Sequence, residues 1–206
     1  MGKVRGCYAY KKGERAEDLA GHLAEVAECC AGLRLLDPVA FKIAREYNKP
    51  KGYIRDLIVA SCLLHDIGKA DKIYQERCDK ECEEFSGHDV KGYKLVATAI
   101  QRPDWEVGDE VLRTTLLVPI LGHHYFQREL ERLRDDLSSV TDISIWPPCA
   151  EDLQAMLRGK IDLFETREAR NLVGGVANLI GRGDIVLAAT NASGLLGEMQ
   201  GYTDAF

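Results

Sequence analysis

The sequence predicts an all-α protein, and three observations carry that prediction. Apolar residues recur at helical spacing through most of the chain, the segments so marked stop at glycine or proline, and no alternating series marks out strands. From Glu17 to Leu33 the apolar positions Leu19, Leu23, Val26, Ala27, Cys30 and Leu33 share one helix face, and His22 lies on that inward stripe. In "KGYIRDLIVASCLLHDIG", Ile54, Leu57, Ile58, Ser61, Cys62 and His65 share a face until Gly68 ends the helix. His65 therefore points inward. A third helix runs from about His88 to Pro103, and a fourth, in "DEVLRTTLLVPILGHHYF", is kinked or ended by Pro119 just before His123 and His124. "QRELERLRDDLSS" reads as a solvated amphipathic helix, and "VTDISIWPPC" as a loop around Pro147 and Pro148. From "AEDLQ" to "NASGLL" the chain reads as helical again, with a loosely held tail over about 194–206.

With 206 residues, 46% of them hydrophobic, the chain has material for one substantial core, so a single domain over 1–206 with its core at about 16–193 is expected. The net charge of −6 gives no global sign of a nucleic-acid binder, leaving a local basic groove or a metal to hold phosphate. Seven cysteines, an odd number in a chain without a secretory signal, predict reduced thiols and a cytoplasmic protein. Cys78 and Cys82 are spaced to offer two zinc ligands, but no second pair follows at ribbon spacing. No apolar run approaches the ~20 residues that span a bilayer, so no membrane association is expected.

The five histidines carry the chemistry. Any one of them alone is best read as a hydrogen-bonded core residue. Four sit on or beside inward helix faces, however, and Asp66 follows His65 directly, which supplies a carboxylate able to bridge two cations among neutral imidazoles.

The elements "GHL" at His22, "HDIGK" with Gln75 six residues after the lysine, "GHDVKG" at His88 and the doublet "GHHYF" together resemble the HD superfamily of metal-dependent phosphohydrolases. Within it they look most like the stand-alone CRISPR-associated HD nuclease subunit of type I systems, over about Gly21 to Phe126, and the tandem doublet is the most specific element. The resemblance implies a compact helical HD-type domain with two divalent transition-metal ions (manganese, iron, cobalt or nickel, magnesium also being allowed). His22, His65 and Asp66 would hold the first ion, and Asp66, His88, His123 and His124 the second. It implies an endonuclease that hydrolyses single-stranded DNA in antiviral defence, beside a CRISPR-associated helicase and an RNA-guided effector complex. Lys69 would either neutralise a phosphate oxygen, as the resemblance suggests, or stand as a solvated lysine at a helix end.

A last aspartate on a late helix completes the first ion's shell in this family, and the sequence allows two registers. One uses Asp184 in "GRGDIVLA", with Ala188 in the small position; the other matches Ser193 and leaves Ala189 where the aspartate belongs. Asp184 is the expected ligand, being the carboxylate available there. Trp105 and Trp146 are either base-stacking platforms or packing residues. Two other functions stay open: an HD phosphohydrolase of nucleotides or cyclic nucleotides, and a non-catalytic scaffold subunit.

Overall fold

The computed structural model describes residues 6–79, 81–100, 110–124, 130–190 and 195–196. The chain opens with a hairpin, β1 (Tyr8–Lys12) and β2 (Arg15–Asp18), turned at Gly13 with φ 57°, and continues into α1 (Leu19–Ala31) and α2 (Leu36–Glu46). Next comes α3 (Lys51–Leu64), which is buried on nearly every face and packs against α1, α2 and, later, α10. Such an all-round apolar helix belongs at the centre of a fold. The backbone then tightens into a 3₁₀ turn (Ile67–Ala70) and the one-turn α4 (Lys72–Gln75), before α5 (His88–Ile100) crosses the 3₁₀ turn. After α6 (Glu110–Leu112) a π turn (Arg113–Leu117) leads to α7 (Val118–Gly122) and α8 (Leu130–Ser139). Strand β3 (Asp142–Ser144), α9 (Pro147–Gly159), α10 (Arg167–Ile180) and β4 (Asp184–Val186) follow, with β3 and β4 paired antiparallel.

The mostly helical class agrees with the sequence, and so do the helices around His22, His65 and His88. The π turn gives the disturbance expected at Pro119 its physical form. A proline ring clashes with the carbonyl four residues back and offers no N–H, and here the helix widens so that Val118 N–H reaches Arg113 O, five residues back.

Three expectations are corrected. The segment around Asp184 is strand rather than helix, because α10 ends at Gly181 and the chain reverses through Gly183 at φ 80°. Leu195 and Leu196, expected in a loose tail, are buried in the core. Six of the seven cysteines are not free thiols: disulfides join Cys7 to Cys149, Cys30 to Cys62 and Cys78 to Cys82, leaving Cys29 exposed and free. Their Cα separations of 4.9, 6.5 and 4.7 Å lie within bridging range. An odd count says nothing about which cysteines the fold brings together, and Cys7 and Cys149 are 142 residues apart. Pairing also leaves Cys78 and Cys82 no thiolate for zinc. Trp146 is buried before α9, a packing residue, while Trp105 lies outside the described residues.

Buried polar groups fix the backbone around the site. Asp56, fully buried on α3, accepts from Glu165 N, Thr166 N and Thr166 Oγ1 and so sets the entry to α10. Gln75 uses its whole amide: Oε1 accepts from Tyr8 N, and Nε2 donates to Tyr8 O and Lys69 O. It thereby ties β1 to the 3₁₀ turn, which explains its place six residues after the lysine.

Candidate metal centre

Asp66 follows the end of α3, where the helix gives way to the 3₁₀ turn, and the residue is buried at 4% exposure. Its two oxygens face different partners. Oδ2 meets His65 Nε2 at 3.3 Å and His22 Nε2 at 3.4 Å, from α1 and the end of α3. Oδ1 meets His88 Nε2 at 2.8 Å and His123 Nε2 at 3.3 Å, from the start of α5 and the end of α7. His124 stacks beside His123 with ring centroids 4.2 Å apart, and 5.0 Å from His88. Among the described residues, ligand atoms lie within 4.8 Å of one another in two groups: His22, His65 and Asp66, and Asp66, His88, His123 and His124. Both groups contain Asp66. The residues marked in sequence thus converge, His22, His65, Asp66, His88, His123 and His124 alike.

The far side of each ring explains its tautomer. Nδ1 of His65, His88 and His123 approaches the carbonyl of Cys62 (2.8 Å), Phe85 (2.5 Å) and Ile120 (2.7 Å), each three residues earlier, while Nδ1 of His22 approaches the Glu17 carboxylate at 2.8 Å. Carbonyls and carboxylates only accept, so each Nδ1 carries the hydrogen and each Nε2 has its lone pair turned inward. Inward lone pairs then oppose one another, His22 to His65 at 3.4 Å and His88 to His123 at 3.2 Å, and oppose the Asp66 oxygens. A cation between them satisfies every donor atom at once, so these residues fit divalent metal; protons do the same job in part and compete.

The electrostatics follow. Burial alone would raise the Asp66 carboxyl, but hydrogen bonds from His123, His22, His65 and His88, made when these rings take a second proton on Nε2, outweigh it and hold the group far below the usual carboxylate range. His22 is raised above an ordinary histidine, first by its bond to Asp66 and then, against burial, by Glu17. His124 is lowered by burial and by its neighbours His123 and His88.

Lys69 donates to Asp66 Oδ2 at 2.7 Å and lies over the Phe85 ring, so it is neither free nor solvated. A cavity of about 400 Å³ opens beside the second group, between Lys69, Phe85, His88, His124 and Arg132, with Arg132 Nη2 donating to Ser86 Oγ. Asp184 does not join either group. It is exposed on β4 and accepts from Ser144 Oγ at 2.5 Å. Ala189, in the alternative register, is exposed as well. Sequence reasoning missed Glu17 and Arg132, since neither falls on an apolar stripe; the one signal for Glu17 is its place just before the Asp18 cap of α1.

Helices that bring imidazoles from four directions onto one buried Asp of a His-Asp pair define an HD-type domain, a class that binds divalent metals and is associated with metal-dependent hydrolysis. The family model described as Cas3, HD domain, matches residues 8–172, most of the chain, and the chain belongs to that family of CRISPR-associated HD nuclease-type proteins. The match ends before Asp184. Among curated proteins and among solved structures the chain has no match. No described helix is long and apolar enough to cross a membrane.

Proposed function

We propose that the protein is a two-metal endonuclease that hydrolyses phosphodiester bonds of single-stranded DNA, acting in the cytoplasm on strand exposed by a CRISPR-associated helicase and an RNA-guided effector complex. The observation that carries this reading is the division of Asp66, one oxygen to each group of histidines. His22, His65 and Asp66 would hold one ion; Asp66, His88, His123 and His124 would hold the other. A bound pair would supply a water of lowered pKa and positive charge against the phosphodiester oxygens. The imidazole-rich donor set favours manganese, iron, cobalt or nickel over magnesium, which prefers oxygen. Around that pair the chain itself orients the substrate. Lys69 and Arg132 flank the cavity and offer fixed positive charge to a phosphate oxygen, and Lys69 is a catalytic residue if that oxygen is the one that gains charge.

The test is incubation of purified protein and manganese with circular single-stranded DNA. Linear product supports the proposal, since opening a circle requires internal cleavage. Hydrolysis of mononucleotides or cyclic nucleotides with the circle intact moves the function to a nucleotide phosphohydrolase; no turnover with any of these metals moves it to a scaffold.

Two further results are expected. On lowering pH from 8 to 5, metal content measured after gel filtration should fall, because imidazole ligands must be neutral to bind a cation and protons compete for the same Nε2 atoms. His22, which Asp66 and Glu17 raise above an ordinary histidine, adds to that loss in the first group. Metal content indifferent to pH over this range would count against imidazole ligation. Asp184→Asn should leave metal content and cleavage within about twofold of the parent, as an exposed strand residue outside both groups; a raised metal requirement would restore Asp184 as a ligand.

A further inference from the structure

We infer that Glu17 is a positioning residue for the first metal ion, acting through His22, and that the N-terminal hairpin serves to deliver it. The inference rests on reading the His22, His65 and Asp66 group as a metal site. Three ligand rings are held by main-chain carbonyls three residues earlier in the chain, within the helix for His65 and His123 and in the turn that leads into α5 for His88, so their orientation comes with the local backbone. His22 is different. Its outer nitrogen meets a carboxylate that comes from another element, at 2.8 Å.

Several independent features aim that carboxylate. Asp18 caps α1 by accepting from Gly21 N at 2.6 Å, so Glu17 precedes the cap and His22 is the fourth residue of the helix. Side chains at those two positions meet across a helix start, an arrangement usually made with two apolar groups and here made with an ion and a ring. The hairpin register shifts between Tyr8 and Tyr10, so that Tyr8 pairs with Asp18 and Tyr10 with Glu17. A bulge of this kind re-aims the side chain beside it. Strand β1 is in turn anchored by the Cys7 to Cys149 disulfide, the Gln75 amide and the paired backbone of Lys11 and Cys82, while β2 is exposed along its length. The anchored strand is the support; the exposed strand carries the functional group.

The chemical result is asymmetry between the two sites. A carboxylate on Nδ1–H fixes the ring and draws the proton toward itself, which makes Nε2 a more basic donor than a carbonyl partner would. The first group has three donors, fewer than the second, and Glu17 strengthens one of them.

The test is manganese titration of the full chain, following the free-ion electron paramagnetic signal, for the parent, Glu17→Ala and Glu17→Gln, with thermal unfolding of the metal-free proteins alongside. Loss of an outer-shell carboxylate typically weakens metal binding by about 10–100-fold. Glu17→Ala is therefore expected to weaken one of two bound ions at least tenfold, weaken the other less, and leave the metal-free unfolding temperature unmoved. Glu17→Gln keeps an acceptor for Nδ1–H and should bind more tightly than Glu17→Ala. Glu17→Ala binding both ions within twofold of the parent, or Glu17→Gln as weak as Glu17→Ala, would overturn the inference while the metal site stands. A parent chain that binds no manganese would instead remove the metal-site reading, and this inference with it.

Discussion

Asp66→Ala is expected to abolish hydrolysis, by at least about 10³-fold, and to remove both metal ions while leaving the helical fold intact. A residue that serves a single site would cost one ion. Asp66 faces both groups, with His22 and His65 on Oδ2 and His88 and His123 on Oδ1, so its loss leaves neither group a carboxylate. It also releases Lys69, whose ammonium is paired to the same oxygen. Helix α3 does not depend on this side chain, because its burial rests on Ile54, Leu57, Val59, Ala60, Leu63 and Leu64. The measurement is metal per chain beside circular dichroism and cleavage. A folded Asp66→Ala protein that keeps most of its activity would rule the mechanism out.

Gly68→Ala is expected to have the largest effect on stability. A Cβ at position 68 would lie 2.0 Å from His88 O and 2.6 Å from Gly92 N, both main-chain atoms of α5 and its start. Backbone cannot rotate aside as a side chain tip can, so the 3₁₀ turn and α5 must separate. The cost should reach about 3 kcal/mol or more, the upper end for overpacking. In a chain of this size that lowers the unfolding temperature by roughly 6–12 °C. Because His88 and Asp66 sit on the two elements forced apart, metal binding should weaken as well. An unfolding temperature within about 2 °C of the parent would show that the close approach is not as drawn.

Much of the centre was legible because its residues follow helix arithmetic. His22 shares its stripe with Leu19, Leu23, Ala27 and Cys30, and His65 with Ile54 and Leu57, all buried, although Leu33 at the far end of the first stripe is exposed; the His65-Asp66 pair stands where a glycine-bearing turn ends the helix. The doublet was legible for a different reason, as a motif carried by family resemblance, since Pro119 breaks the periodicity just before it. What escaped the sequence depends on partners far along the chain. Glu17 matters only once the hairpin places it against α1, and β1, already paired with β2, is tied down by bonds to Gln75 and Cys82 that no local pattern announces. The helix expected to carry Asp184 stops short of it because periodicity does not show that Gly183 reverses the chain. The Cys7–Cys149 disulfide was missed for the same reason of distance.

The sharing of Asp66 has a mechanical consequence. A carboxylate is a rigid plane turned by one torsion, so moving Oδ2 toward His22 and His65 necessarily moves Oδ1 relative to His88 and His123. The two halves of the centre share that adjustment. Whatever settles in one half chooses the angle that the other half must accept, and thermodynamic reciprocity then requires each occupant to alter the other's affinity by an equal factor. With both ions bound as proposed, Asp66 would act as a lever as well as a ligand.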